Sequence, residues 1–274
     1  MSFRQLRLRR PSTASDQHTS PTSSTHSAST YLSESTVPTS IPSISDYSDD
    51  ACAFDTNDYF AELRADVDVS DDCPSRSVLN GAGDHLIYDG QGNSRTFKSL
   101  YDGDAVIGER QLVLFVRHFF CGACQAYLKA LTESITPQTY FTMPIQTSIS
   151  IVGCGSPKLI AHYKKMTGCP FPIYADPTRK LYKSLGMSWS LNIGTKRPEY
   201  MSEIAPPAWL AGQLKQVGTV EKKKRGQGFR GGNWLQIGGE FLFEDGDVIW
   251  CHRMKNYRDH TEITVLRRLL EVDD

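Results

Sequence analysis

The sequence predicts an α/β fold, a mixed central sheet flanked by helices, and three observations predict it. The run 112–116 is continuously apolar, the mark of a strand buried on both faces, and 147–152 reads as a second buried strand. A helical pattern follows each run, the order that sets crossover helices over parallel strands. Near the end, two strand-like runs flank Glu244-Asp245-Gly246-Asp247, which reads as an antiparallel hairpin with a four-residue turn.

The elements follow in order. Leu86-Ile87-Tyr88 is a short strand that ends in a turn at Asp89-Gly90. After the run 112–116, a helix is expected from Gly122, with Tyr127, Leu128, Leu131 and Ile135 on one face and Pro137 beyond its end. The run 147–152 is the next buried strand. Ser156-Pro157 then supplies an N-cap and a proline at the first helical position, opening a helix through Leu159, Ile160 and Tyr163. Phe171-Pro172-Ile173-Tyr174 is a short strand. Asp176-Pro177 caps a further helix through Leu181 and Leu185, with Gly186 at its end. Between Met187 and Asn233 lies an insertion longer than an ordinary loop. It is expected to carry one helix, from Pro206 through Val217, and then the basic tract Lys222-Lys223-Lys224-Arg225. The hairpin strands are placed at 234–243 and 248–253. A helix through Ile263, Val265, Leu266, Leu269 and Leu270 closes the chain.

Composition sets the domain organisation. Residues 1–75 are rich in Ser, Thr and Pro and poor in large apolar side chains. Such a segment buries too little surface to offset the entropy of ordering, so it is expected to be a disordered tail. Its first ten residues hold Arg4, Arg7, Arg9 and Arg10 and no acid. They read as a basic tip, with a mitochondrial transit peptide as the alternative. The acidic stretch from Asp55 to Asp72 could form a short helix through Tyr59-Phe60-Ala61-Glu62-Leu63. The folded domain is expected over 80–272, with the insertion at 187–233.

The 274 residues hold 30 Lys and Arg against 31 Asp and Glu, a net charge of -1. That balance speaks against a chain built to coat nucleic acid. No run approaches the roughly 18 apolar residues of a membrane span. Seven cysteines, scattered and odd in number, do not make a disulfide scaffold. No Asn-x-Ser/Thr acceptor and no apolar signal core occur. The expectation is an intracellular protein, cytoplasmic first, with nuclear and mitochondrial homes left open.

Chemistry is expected at Phe115-Val116-Arg117-His118-Phe119-Phe120-Cys121-Gly122-Ala123-Cys124. A buried strand there runs into a two-cysteine turn and a helix starts at once. The thiolate is the nucleophile, and a cysteine at a helix N-terminus faces unpaired N–H groups that favour it. Cys124 lies about one turn further on, near enough to close a disulfide with Cys121. Cys121 is therefore expected to be the exposed attacker and Cys124 the more buried resolver. Arg117 and His118 add positive charge nearby. Two ordinary buried cysteines are one alternative. Zinc is another, with Cys154, Cys169, Cys251, His118 and His252 as further ligands, but none of them forms a second pair at metal spacing.

The remaining signals read blandly. Gly226-Gln227-Gly228-Phe229-Arg230-Gly231 spells a dinucleotide fingerprint but lacks its strand before and helix after, so it reads as flexible linker. The tract 222–225 reads as a solvated charge run. Trp189, Trp209, Trp234 and Trp250 read as core or docking anchors. His252-Arg253 and Asp259-His260 read as satisfied structural polar groups near the hairpin end. Cys154 and Cys169 read as buried small hydrophobes.

On residues 116–127, 151–156, 174–187 and 236–260 the chain resembles the thioredoxin-like AhpC/TSA superfamily and, within it, the peroxiredoxin-like group of AhpC/TSA antioxidant-enzyme-domain proteins. The block Tyr174-Ala175-Asp176-Pro177 through Leu185-Gly186-Met187 is the most specific part. The resemblance covers about residues 85–270 and implies a thioredoxin-like fold, with Cys121 at the attacking position and Cys124 as its partner. Arg117 is the nearest candidate for a stabilising cation. Two departures stand out. The Pro and Thr/Ser that peroxiredoxins carry ahead of the attacking cysteine are absent from residues 116–120. Where thioredoxins carry a cis-proline, this chain has Gly231-Gly232-Asn233-Trp234. The implied function is a thiol-dependent oxidoreductase that reduces peroxides or disulfides. An external thiol of thioredoxin or glutathione type resets it, with no metal or organic cofactor. The alternative is a catalytically weak regulatory or interaction protein on the same fold.

Overall fold

The computed structural model describes residues 65–104, 106–202 and 231–272. They belong to one folding unit, Phe54–Asp274. α1 (Arg76–Gly83) precedes the hairpin of β1 (Leu86–Tyr88) and β2 (Ser94–Thr96). β3 (Arg110–Val116) leads into α2 (Gly122–Ser134) and the short α3 (Pro137–Phe141). β4 (Thr147–Gly153), α4 (Ile160–Thr167), β5 (Ile173–Ala175) and α5 (Lys180–Ser184) follow. The hairpin of β6 (Gly239–Glu244) and β7 (Asp247–Arg253) comes next, and α6 (Ile263–Leu269) is last.

The strands form one sheet in the order β2-β1-β5-β4-β3-β6-β7. β3, β4 and β5 run parallel, whereas β3 pairs antiparallel with β6, as do β6 with β7 and β1 with both its neighbours. The sheet is thus mixed, as expected. β3 is central because it is apolar on both faces. Leu112, Leu114 and Val116 pack towards α2, α4 and α6, while Val113 and Phe115 pack towards α1 and α5. On the second face Phe115 meets Phe97, Tyr182 and Phe241 at ring separations of 5.8, 5.3 and 5.5 Å.

Several boundaries differ from expectation, each for a local reason. The helix after Ser156-Pro157 begins as a 3-10 turn, Pro157–Leu159, and the Ser156 side chain makes no capping bond. The Asp176 carboxylate instead gathers the N–H groups of Thr178, Arg179 and Leu181, which holds Pro177 outside the helix and starts α5 at Lys180. β6 begins at Gly239, not at Trp234. Gly238 lies against β3 so closely that a Cβ would fall 1.8 Å from the Phe115 carbonyl oxygen. The hairpin turn has two residues, not four. Asp245 and Gly246 both take positive φ, the backbone that matches the twist of paired strands. Trp189 is 60% exposed and so is no core anchor. α1, capped by Ser75, and β2 were not expected.

Residues 65–75, expected within the tail, form an irregular strap fastened to β7 and the turn beyond it. Residues 1–64 lie outside the described residues. So do 203–230, with the expected helix, the basic tract and most of the glycine-rich linker.

Replacing Phe115 by Ala should open a cavity that the packed aromatics of this face cannot refill. We expect a loss of about 3–5 kcal/mol and a fall of about 10 °C in the thermal midpoint. An unchanged denaturant or thermal midpoint would show that this cluster is not the core of the sheet.

Candidate active site at Cys121 and Cys124

The carboxyl end of β3 delivers the site. Residues 117–121 turn out of the sheet and α2 starts at Gly122, with Cys121 as its N-cap. The Cys124 N–H points at Cys121 Sγ at 3.5 Å, and the two thiols lie within hydrogen-bonding reach of each other. Both thiols are free. Cys121 is only 4% exposed, which corrects the expectation of an exposed attacker.

Arg117 is the buried cation of the site. Its Nη1 donates to Cys121 Sγ at 3.1 Å, its Nε to the Gln236 carbonyl at 3.0 Å and its Nη2 to the Trp234 carbonyl. The ring of Tyr257 lies 3.3 Å from the guanidinium carbon. A guanidinium fixed on four sides becomes a directed charge rather than a mobile one. Burial by itself would push the Cys121 thiol up. The hydrogen bond from Cys124 and the Arg117 charge outweigh burial and hold Cys121 well below the usual thiol range. Burial and the neighbouring Cys121 push Cys124 well up. The two sulfurs of one turn are thereby driven apart in acidity. His118 does not add the expected charge, because burial drives it down to about 4. It packs on Trp234 at 4.9 Å instead.

A second buried group reaches Cys124 from the far end of the chain. His260 Nε2 lies 3.3 Å from Cys124 Sγ, and its Nδ1 lies 2.6 Å from Glu240 Oε1. A carboxylate accepts, so Nδ1 donates to Glu240, and Nε2 is the ring nitrogen that faces the thiol. Thr261 Oγ1 donates to the other Glu240 oxygen at 3.0 Å, and Tyr127 stacks flat on His260 at 4.3 Å. Glu240 itself is fully buried.

Sequence reasoning named Cys121, Cys124 and Arg117, and the structure brings all three together. It missed Glu240 and Tyr257, and it read His260 as a structural polar group. A signal for Glu240 was present. It lies on an apolar strand two residues before Leu242, hence on the same face. Gly231 and Gly232 were read as linker or as the counterpart of a proline. They are a close backbone approach: a Cβ on Gly231 would lie 2.0 Å from the Phe120 ring, and one on Gly232 2.7 Å from Cys154 Sγ. Cys154 is buried as expected, and its thiol donates to the Arg117 carbonyl at 2.9 Å. Among the described residues no group of three or more His, Cys, Asp and Glu side chains is set to hold a metal ion. Nor is any helix among them long and apolar enough to cross a membrane.

A mixed sheet whose central strand presents two thiols at a helix start defines a thioredoxin-like thiol protein. The comparisons place it more closely. A family model described as AhpC/TSA antioxidant enzyme matches residues 141–256, which begin after the two cysteines. The curated protein peroxiredoxin-like 2C of Takifugu rubripes is 30% identical over 202 residues, 71% of this chain and 82% of that protein. The human protein of the same name is 30% identical over 60% of this chain and 69% of its own length. Among solved structures, Xanthomonas campestris peroxiredoxin Q is 13% identical, covering 75% of this chain and 98% of that one with a TM-score of 0.44. The chain belongs to the peroxiredoxin-like AhpC/TSA group, a group of thioredoxin-like redox proteins.

The Arg117 contact has a pH consequence. An unfolded thiol ionises near about 8.5, whereas folded Cys121 ionises well below that. This group's stabilising contribution is therefore fully present above about pH 8.5 and is lost as pH falls through the folded value. Replacing Arg117 by Gln should raise the Cys121 value and slow its alkylation at neutral pH by at least about tenfold. Iodoacetamide trapping read by peptide mass across a pH series measures both. An alkylation profile that is the same in the variant and the native chain would remove Arg117 from this role.

Proposed function

We propose that the chain is a thiol peroxidase in which Cys121 attacks a small peroxide and Cys124 resolves the product. The observation that carries this reading is the contact of Arg117 with Cys121, which makes one of two adjacent thiols anionic. In the first step the Cys121 thiolate attacks the near peroxide oxygen and the O–O bond breaks. The sulfur becomes a sulfenic acid, and the departing oxygen takes a proton to leave as water or an alcohol. In the second step Cys124 attacks the Cys121 sulfur. His260 takes the Cys124 proton, Glu240 stabilises the resulting imidazolium, and the hydroxyl leaves as water with that proton. An external thiol then reduces the Cys121–Cys124 disulfide. A compartment that supplies such thiols, inside the cell, is part of the same proposal.

The burial of Cys121 supports a small peroxide over a protein disulfide as the oxidant. Arg117 occupies the role that the missing Pro and hydroxyl leave open. Its Nη1 already donates to the sulfur and stands ready to meet an oxygen held there.

Cys121→Ser should abolish peroxide consumption. Cys124→Ser should consume one equivalent and stop with Cys121 as a trapped sulfenic acid. His260→Gln should form that acid at the native rate and close the disulfide about 10²–10⁴-fold more slowly. Stopped-flow peroxide consumption and mass mapping of the thiols separate the steps. Turnover equal to the native chain in both serine variants would overturn the reading. Native closure kinetics in His260→Gln would remove His260 from it.

A further inference from the structure

A second pair of cysteines lies away from this site, on the other face of the hairpin. Cys251 is on β7 and buried, whereas Cys73 is on the strap and exposed. The Cys251 thiol lies 3.2 Å from the Asp71 carbonyl oxygen and 3.4 Å from that of Asp72. Cys73 is the next residue along, and its side chain is within hydrogen-bonding reach of Cys251.

The thiols do not create this proximity. Arg253 Nη1 donates to the carbonyls of Ser70 at 2.6 Å and Asp72 at 3.0 Å, while the Arg253 N–H donates to Asp71 Oδ1 at 2.7 Å. The Val67 N–H donates to the Lys255 carbonyl at 2.9 Å. Asp66 Oδ1 accepts from Asn192 at 2.7 Å and from Asn256 at 2.9 Å. The strap is thus held in place by contacts at residues 66–72, just before Cys73, and Ser75 caps α1 just after it, so the Cys73 side chain is kept beside Cys251.

We propose that Cys73 and Cys251 form a second redox couple, a peroxide-driven disulfide that locks the strap onto the edge strand of the sheet. The exposed Cys73 meets the oxidant first. Its sulfur attacks a peroxide oxygen, breaking the O–O bond to give a sulfenic acid and water or an alcohol. The Cys251 sulfur then attacks the sulfenic sulfur, its thiol proton and the hydroxyl leaving together as water. Two thiols are oxidised, one peroxide is reduced, and the disulfide holds the two electrons' worth of oxidation. Burial pushes Cys251 up to about 11, which keeps it a protonated thiol until the sulfenic acid forms beside it. The bond joins residues far apart in sequence, so it constrains the unfolded chain strongly. β7 is the outermost strand at its end of the sheet, and the strap covers the end of it, so the lock also secures an edge.

The test uses the full chain, reduced and then exposed to one to three equivalents of hydrogen peroxide, with non-reducing peptide mapping. The expected result is a Cys73–Cys251 linked peptide, in the native chain and equally in Cys121→Ser. Because that variant is inactive in the proposed peroxidase cycle, the two readings succeed or fail separately. The oxidised chain should melt about 5–10 °C above the reduced one, and Cys73→Ser should lose this increment. Cys73 is exposed, so its serine variant is expected to fold even if a variant at Cys251 does not. Cys251 remaining alkylatable while Cys73 is over-oxidised, or Cys73 bonded to any other cysteine, would overturn the proposal. So would a linked peptide with no change in melting.

Discussion

A guanidinium that cannot lose its proton is buried beside a thiol that can. Arg117 is 3% exposed and donates to two carbonyls and to Cys121 Sγ. Carbonyls solvate the charge but do not neutralise it. A buried cation without an anion is costly, and the thiol is the partner able to supply one. The fold therefore favours the ionised form of Cys121. The helix start adds the Cys124 N–H to the same sulfur. The backbone of 234–236 is fixed by the same requirement, because its carbonyls aim the guanidinium. The irregular run before β6, which interrupts an otherwise strand-like sequence, is where those carbonyls come from.

The division of labour between the two sulfurs follows. Cys124 has one proton and two acceptors near it, the Cys121 thiolate and His260 Nε2. While Cys121 is anionic, the proton is drawn to that sulfur, which holds the attacking thiolate down in basicity. Once Cys121 is oxidised it is no longer an anion, and the remaining acceptor is the imidazole backed by Glu240. In the proposed cycle, oxidation of one sulfur would thus hand the other to its base. No conformational change is required for that exchange, only the loss of a charge.

The local pattern of the chain made much of this legible. β3, α2, β4 and the hairpin follow from apolar runs and helical spacing, and the proximity of Cys121 to Cys124 follows from helix geometry alone. Whatever depends on pairing between distant segments did not follow. Strand alternation cannot aim Arg117, because residue 117 is already past the end of β3. His260 lies in a loop with no periodicity, and only sheet register brings it to Cys124. Glu240 was half legible. Its parity with Leu242 puts it on the α2 face, but its ring partner was not visible in the sequence. The strap was misread for a related reason. Its hydrogen bonds are supplied by Arg253, Asn192 and Asn256, so its own composition carries no sign of order.

The hairpin keeps its two chemistries apart by parity. Register pairs Glu240 with His252 and Phe241 with Cys251. On β6, and on β7 from Trp250 onward, even-numbered positions face α2 and α6, where Glu240 meets His260. Odd-numbered positions face the other way, where Cys251 packs with Phe241 and lies under the strap. Alternate side chains of a strand point to opposite faces, so one residue of register separates the thiol pair's base from the strap's cysteine. A slip of β7 by one position against β6 would turn Cys251 away from the strap. The two-residue turn alone would pair Glu240 with Cys251; a one-residue bulge, which leaves Ile249 unpaired between Val248 and Trp250, shifts the register to the one observed. The turn and the bulge together thus place Cys251 under the strap and opposite Phe241.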